Sequence, residues 1–200
     1  MEDQKRNSGR RPNRPATFLP SGVEVKEGTG EMVIRINWWK AGSRAANKFF
    51  LIFTLIWNGF LIPFIFVIIA LGEMFILLFL SLHFAVGVGM AYYLVARFFN
   101  TTEIRVNRQR ITSEYGPVRL PFKAPLDIPS YRIKQLFIKE KEAGRVNGAP
   151  QYSYDLMVIQ NPGNEIKLVA GMDRMTQQYL EQEIEKFLDV DDRAVDGETL

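Results

Sequence analysis

The chain has 200 residues, with 25 Lys and Arg against 22 Asp and Glu, one histidine and no cysteine. Zero cysteine excludes a disulfide framework, thiolate catalysis and cysteine-ligated metal sites, and the lone His83 excludes a histidine cluster or a His-based triad in the rest of the chain. The near-neutral average conceals a segregated sequence, because the 47 residues from Phe49 to Val95 hold no Lys or Arg and one acid, Glu73.

In chain order, residues 1–21 read as a disordered basic tail, since Arg6, Arg10, Arg11 and Arg14 lie among Pro, Asn, Ser and Gly with nothing to build a core. No apolar stretch precedes Phe49, so a cleavable signal peptide is not expected. Residues 22–45 are assigned to the first strand or strands of a β domain. Glu31 to Trp38 alternates, with Met32, Ile34, Ile36 and Trp38 on one side and Glu31, Arg35 and Asn37 on the other.

Residues 46–98 form the next segment. At 1.5 Å rise per residue about 20 apolar residues cross a bilayer core, so this run accommodates two passes. Helices are expected at about 47–70 and 74–98, with a tight turn at Leu71, Gly72 and Glu73. Lys40, Arg44 and Lys48 precede the run and Arg97 and Arg105 follow it, which by the positive-inside rule puts both ends in the cytoplasm. These five residues are also the candidate contacts for lipid headgroups. Trp38, Trp39, Tyr92, Tyr93, Phe98 and Phe99 suit an interfacial aromatic belt at that end. A turn centred on Gly72 pairs residues whose numbers sum to about 144, which brings Gly59 opposite Ala85. Ser81, Ala85 and Gly89, spaced by four, then make a small-residue face for helix–helix packing with Gly59. The same register brings Asn58 and His83 within about one turn, as a candidate intramembrane polar pair.

Residues 99–188 show short alternating runs bounded by turn residues, a β pattern. Strands are expected at 102–107 and 110–115, at 119–123, at 132–141, at 152–160 and at 165–170, with a loop over 142–150 and a turn at Asn161, Pro162, Gly163 and Asn164. Asp173 is a good N-cap for an amphipathic helix over 173–188, with Tyr179, Leu180, Ile184, Phe187 and Leu188 inward and Glu181, Gln182, Glu185 and Lys186 toward solvent. Residues 189–200 read as an acidic tail. The helical hairpin thus enters near the start of a sheet, as an insertion between neighbouring strands. The fold class is α+β, a membrane helical hairpin joined to a cytoplasmic β domain.

About seven strands followed by one C-terminal helix is the order of a pleckstrin-homology (PH)-like barrel. On the strand before the hairpin, on TTEIRV (Thr101 to Val106), SEYGPVRLPF (Ser113 to Phe122) and IKQLFIKEK, and on YLEQEIEKFL (Tyr179 to Leu188), the chain resembles bacterial proteins with two transmembrane helices and a PH-like domain, a largely uncharacterised group. The resemblance covers about residues 22–190. It implies a PH-like β-barrel or sheet closed by the C-terminal helix, in a protein of the bacterial inner membrane. PH domains that bind phosphoinositides use basic residues at their first strand hairpin. That connection is expected to hold the helical insertion here, so the pocket is not carried over.

No phosphate loop, HExxH motif or nucleophile elbow is present in the sequence, and no catalytic, cofactor-binding or metal-binding residue is assigned. The expected function is non-enzymatic: a membrane-anchored scaffold or accessory module on the cytoplasmic face, without cofactor, whose partners are the lipid bilayer and other membrane or cytoplasmic proteins. Nucleic acid is not expected. The alternatives are an anionic-lipid-sensing module and a transport or channel component using Asn58, Pro63 and His83. A further candidate contact is an edge of the strand at 132–141, with Tyr152 and Tyr154 beside it, for strand addition by a peptide.

Overall fold

The computed structural model describes residues 19–121, 123–161 and 163–190; the side chains of Met74 and Val146 are not described. The expected basic tail up to residue 18, Phe122, Pro162 and the acidic tail from residue 191 lie outside the described residues. The chain divides into two compact units. One is drawn from the segment ending at Ile36, from Thr102–Glu114 and from Ala124 onward, and the other from Asn37–Thr101 and Tyr115–Lys123.

The first unit is the β unit. Strands β1 (Val23–Gly28) and β2 (Glu31–Asn37) pair antiparallel, closed at Thr29 and Gly30, whose φ of +91° is the left-handed conformation that glycine adopts without strain. Strand β2 follows the expected alternation as far as Ile36, burying Met32, Ile34 and Ile36, but Trp38, expected on the same side, lies in a helix, because Asn37 ends the strand and caps the helix that follows. β1 was missed because Val23 and Val25 alternate with charged residues over a stretch too short to stand out. Its presence corrects the expectation for the first hairpin: a two-residue turn closes it, and the helices are inserted in sequence between β2 and β3 (Thr101–Asn107). β4 (Arg110–Gly116) and β5 (Leu126–Pro129) complete a sheet of order β1-β2-β3-β4-β5. Among the described residues of 119–123 the expected strand does not form; Pro117 and Pro121 each lack a ladder N–H, and the strand forms later, at β5.

A single 3-10 turn (Ser130–Arg132) leads into the second sheet, β6-β7-β8, from β6 (Ile133–Val146), β7 (Ala149–Gln160) and β8 (Asn164–Met172), with antiparallel pairing throughout. The expected loop over 142–150 is strand nearly to its tip, because Asn147 and Gly148, both with positive φ, make a tight turn that lets Val146 pair with Ala149. Helix α4 (Arg174–Leu188) starts where Asp173 accepts a hydrogen bond from the Thr176 amide at 2.9 Å, and packs on all three strands. Its inner face is Thr176, Gln177, Leu180, Ile184 and Glu185. Glu185, expected in solvent, is buried there, since it follows Ile184 by only about 100° round the helix.

The second unit is the helical unit. Asn37 accepts from the Lys40 amide and caps a short helix α1 (Trp38–Ala41); Ser43 caps α2 (Arg44–Leu71); Gly72, at φ +74°, ends α2, and α3 (Met74–Phe99) follows. The turn lies where it was expected. Both long helices have the length and composition to cross a bilayer. Their surfaces carry Phe75 at 84% exposure, along with Phe49, Phe60, Phe66, Leu78, Phe79 and Leu82, all well exposed.

Candidate functional site

Two polar contacts set how α2 and α3 meet. The buried residues of α2, Asn47, Thr54, Leu61 and Ile68, recur every seven positions, and Leu80 and Gly87 do the same on α3. A seven-residue repeat keeps one stripe of each helix on its neighbour. The Asn58 amide nitrogen donates to Thr54 O at 2.9 Å and across the pair to Gly87 O at 3.3 Å, while Trp57 Nε1 donates to His83 O at 3.3 Å. A Cβ on Gly87 would stand 2.7 Å from Asn58 Oδ1.

The expected packing face of Gly59, Ser81, Ala85 and Gly89 is corrected by this arrangement. Gly59 and Gly89 have nothing within 4 Å of where a Cβ would be, and Ser81 and Ala85 are exposed. The antiparallel register was close, since Asn58 meets Gly87, but Gly89 is two residues further on and so about 200° round the helix. Donors among apolar side chains decide the rotation: an unpaired amide or indole N–H there costs more than a close small-residue contact returns. Asn58 and His83 are neighbours of one seam, but they are not a hydrogen-bonded pair. Asn58 donates to backbone carbonyls, and the His83 ring lies against Trp57 and Phe79 at 6.0 and 5.7 Å.

At the end of the hairpin away from Gly72 the helical unit is built from amides, rings and cations. Asn47, 2% exposed, donates to Trp39 O at 2.8 Å and accepts from Arg97 Nε at 2.6 Å. Asn100, fully buried, accepts from the Val118 amide and donates to Val118 O, both at 2.7 Å, and its own carbonyl accepts from the Trp38 amide at 3.1 Å. These bonds pin the loop Tyr115–Lys123 to the helix ends, and the Tyr92 hydroxyl, donating to Arg119 O, holds it from α3. Within the loop, Tyr115 stacks on Trp38 at 5.6 Å, and the Lys123 ammonium lies 4.3 Å from the Trp38 ring centre and 4.9 Å from that of Tyr115. Crowding around this ammonium lowers its pKa, and the ring faces oppose that by favouring the charged form.

Of the five expected headgroup contacts, Lys40, Arg44, Lys48 and Arg97 belong to this helical unit, with the first three exposed. Arg105 belongs to the β unit. There Glu103 takes Arg35 at 2.8 Å and Arg105 at 2.5 Å, with Arg105 also 3.8 Å from Glu31. The hydrogen bond from Arg35 holds the Glu103 carboxyl below its usual pKa, assisted by Arg105 against the opposing effect of burial. Arg105 thus has protein carboxylates for partners, which sequence spacing alone does not reveal. Sequence reasoning also missed Lys123 and Arg119, though the run Tyr115 to Lys123 contains no acid and two prolines and was a detectable break in the β pattern.

Elsewhere in the β unit a pocket of about 250 Å³ lies between the β1–β2 turn and the C-terminal half of α4, lined by Met32 and Phe187 and by two cations, Arg108 and Lys186, matched by Glu27 and Glu183. Among the described residues no group of three or more His, Asp or Glu side chains is arranged to hold a metal ion. Comparison of the sequence with protein-family models finds no match, and comparison with curated proteins finds none.

Proposed function

We propose that this chain is an integral protein of the bacterial inner membrane, whose two long helices span the bilayer and whose β unit, a PH-like domain, serves on the cytoplasmic face as a non-enzymatic scaffold or accessory module for other proteins. The observation that carries the reading is the outward face of α2 and α3. Large apolar side chains cover it from Phe49 to Phe99, a surface far beyond what a water-soluble chain exposes, and lipid is the solvent that stabilises it. Every cation of the helical unit lies at the end away from Gly72, which supports a cytoplasmic position for that end. The strand order and the packing of α4 on the second sheet support the PH-like reading.

Single cysteines make the test direct in a cysteine-free chain. Glu73→Cys, at the exposed turn, and Ala149→Cys, at the exposed tip of the β6–β7 ribbon, are expected to react with an impermeant thiol reagent from opposite sides of intact membranes. Labelling from one side overturns the spanning arrangement. For the scaffold role, purification of the full chain in mild detergent is expected to recover another protein at fixed stoichiometry, and recovery of the chain with lipid alone counts against it.

A second reading, an anionic-lipid-binding module, is favoured by one observation: the first turn of α2 holds Arg44, with Lys48 following, and no acid, although the helix dipole disfavours cations at that end.

A further inference from the structure

The helical unit carries six cations, Lys40, Arg44, Lys48, Arg97, Arg119 and Lys123, and a single acid, Glu73, which stands at the opposite end of the hairpin. The side-chain acceptor of Arg97 is a neutral amide, so that contact leaves its charge uncompensated. The Tyr115–Lys123 loop adds two of the six cations, and bonds from Asn100 and Tyr92 hold its backbone at Val118 and Arg119, where the two long helices end. We propose that this braced loop binds the headgroup of an anionic phospholipid, with Lys123 and Arg119 as the cations that take its phosphate. The inference rests on the membrane-spanning reading above.

The occupant follows from the chemistry of the rings. A choline or ethanolamine headgroup would bring its own cation and would need a carboxylate or an open aromatic face to receive it. The helical unit has no carboxylate at this end, and the Lys123 ammonium already lies over Trp38 and Tyr115, so a second cation brought to these two rings would meet its like charge. A headgroup with net negative charge meets neither obstacle. The rings also keep Lys123 in place, so the side-chain freedom a lysine ordinarily loses on binding is already reduced.

The test uses the full chain reconstituted into phosphatidylcholine bilayers doped with phosphatidylglycerol, with retained lipids counted by native mass spectrometry. Wild type is expected to retain phosphatidylglycerol over phosphatidylcholine. Lys123→Gln should reduce that preference about fivefold, the factor corresponding to about 1 kcal/mol for a basic residue at a membrane surface, and Arg119→Gln should reduce it as well. Lys123→Arg, which keeps both charge and stacking, should retain it and so reports whether a loss in Lys123→Gln is one of charge or of folding. Equal retention of the two lipids by wild type, or unchanged preference in both glutamine variants, overturns the proposal. Displacement of the lipid by inorganic phosphate at matched ionic strength also overturns it, in favour of a soluble phosphate site. Release of the chain from phosphatidylcholine bilayers by alkaline carbonate is a different failure, which removes the spanning reading and with it this site.

Discussion

The β unit and the helical unit use apolar residues in opposite ways. In the β unit Ile34, Ile36, Ile104, Ile111, Leu136, Leu156 and Ile184 are fully enclosed, and the charged side chains form ion pairs on the surface. In the helical unit most large apolar residues point outward, and the side chains shut away include Asn47 and Thr54 beside Leu61, Ile68 and Leu80, with Asn58 bonded across the seam. Two contact rules follow. Apolar area removed from water holds the β unit together at about 25 cal/mol per Å², whereas on the proposed membrane-spanning reading the helical pair depends on close packing and on donors that must find acceptors.

The largest effect expected from this contrast is at matched phenylalanines. Phe137→Ala, in the interior of the β unit, should cost about 3–5 kcal/mol, while Phe79→Ala, on the outer face of α3, should change unfolding in detergent by less than about 0.5 kcal/mol. Thermal melts of both variants check it, and equal losses would break the distinction between the units. At the helix seam, Gly87→Val is expected to cost about 1–3 kcal/mol through overpacking against Asn58 and Trp57, and Gly89→Ala to be neutral or slightly stabilising. The reverse order would restore the small-residue face at Gly89.

The smallest effect is electrostatic and confined to the β unit. Glu103 has a folded pKa below its ordinary 4.5 because Arg35 and Arg105 favour its charged form. Its contribution to stability is therefore present above the ordinary value and is lost as the pH falls through that value to the lower folded one. Glu103→Gln should flatten this part of the acid limb and cost no more than about 1 kcal/mol near neutral pH, since the ion pairs are solvent-exposed. Denaturant midpoints across this pH range measure it; an unchanged acid limb would show that the ion pairs of Glu103 contribute nothing.

Strong periodicities were legible in the residues themselves. The C-terminal bound of α2, both bounds of α3, the turn at Gly72, the cap at Asp173, and the strands β2, β3, β4, β7 and β8 follow from runs and alternations long enough to dominate local propensity, while α2 begins at Arg44, three residues before its expected start. β1 and β5 were not, being six and four residues long, and β6 and β7 extend past their expected ends because Asn147 and Gly148 make a tight turn inside a stretch whose composition suits a longer loop. Of the candidate site, the cations flanking the apolar run were visible, but Arg105 could not be separated from them, since its carboxylate partners Glu31 and Glu103 belong to different strands.

An apolar helical pair and a charged β region are already fixed by the order of residues, because hydrophobicity and its period are local and additive along the chain. Tertiary structure alone decided the rotation of α3 about its axis, the meeting of Trp38, Tyr115 and Lys123 across 86 positions of sequence, and the burial of Asn100 against Val118. Those are choices among contacts that leave local periodicity unchanged. They are settled by which donor finds an acceptor and which cation finds a ring, and such partners become neighbours only once the chain has folded.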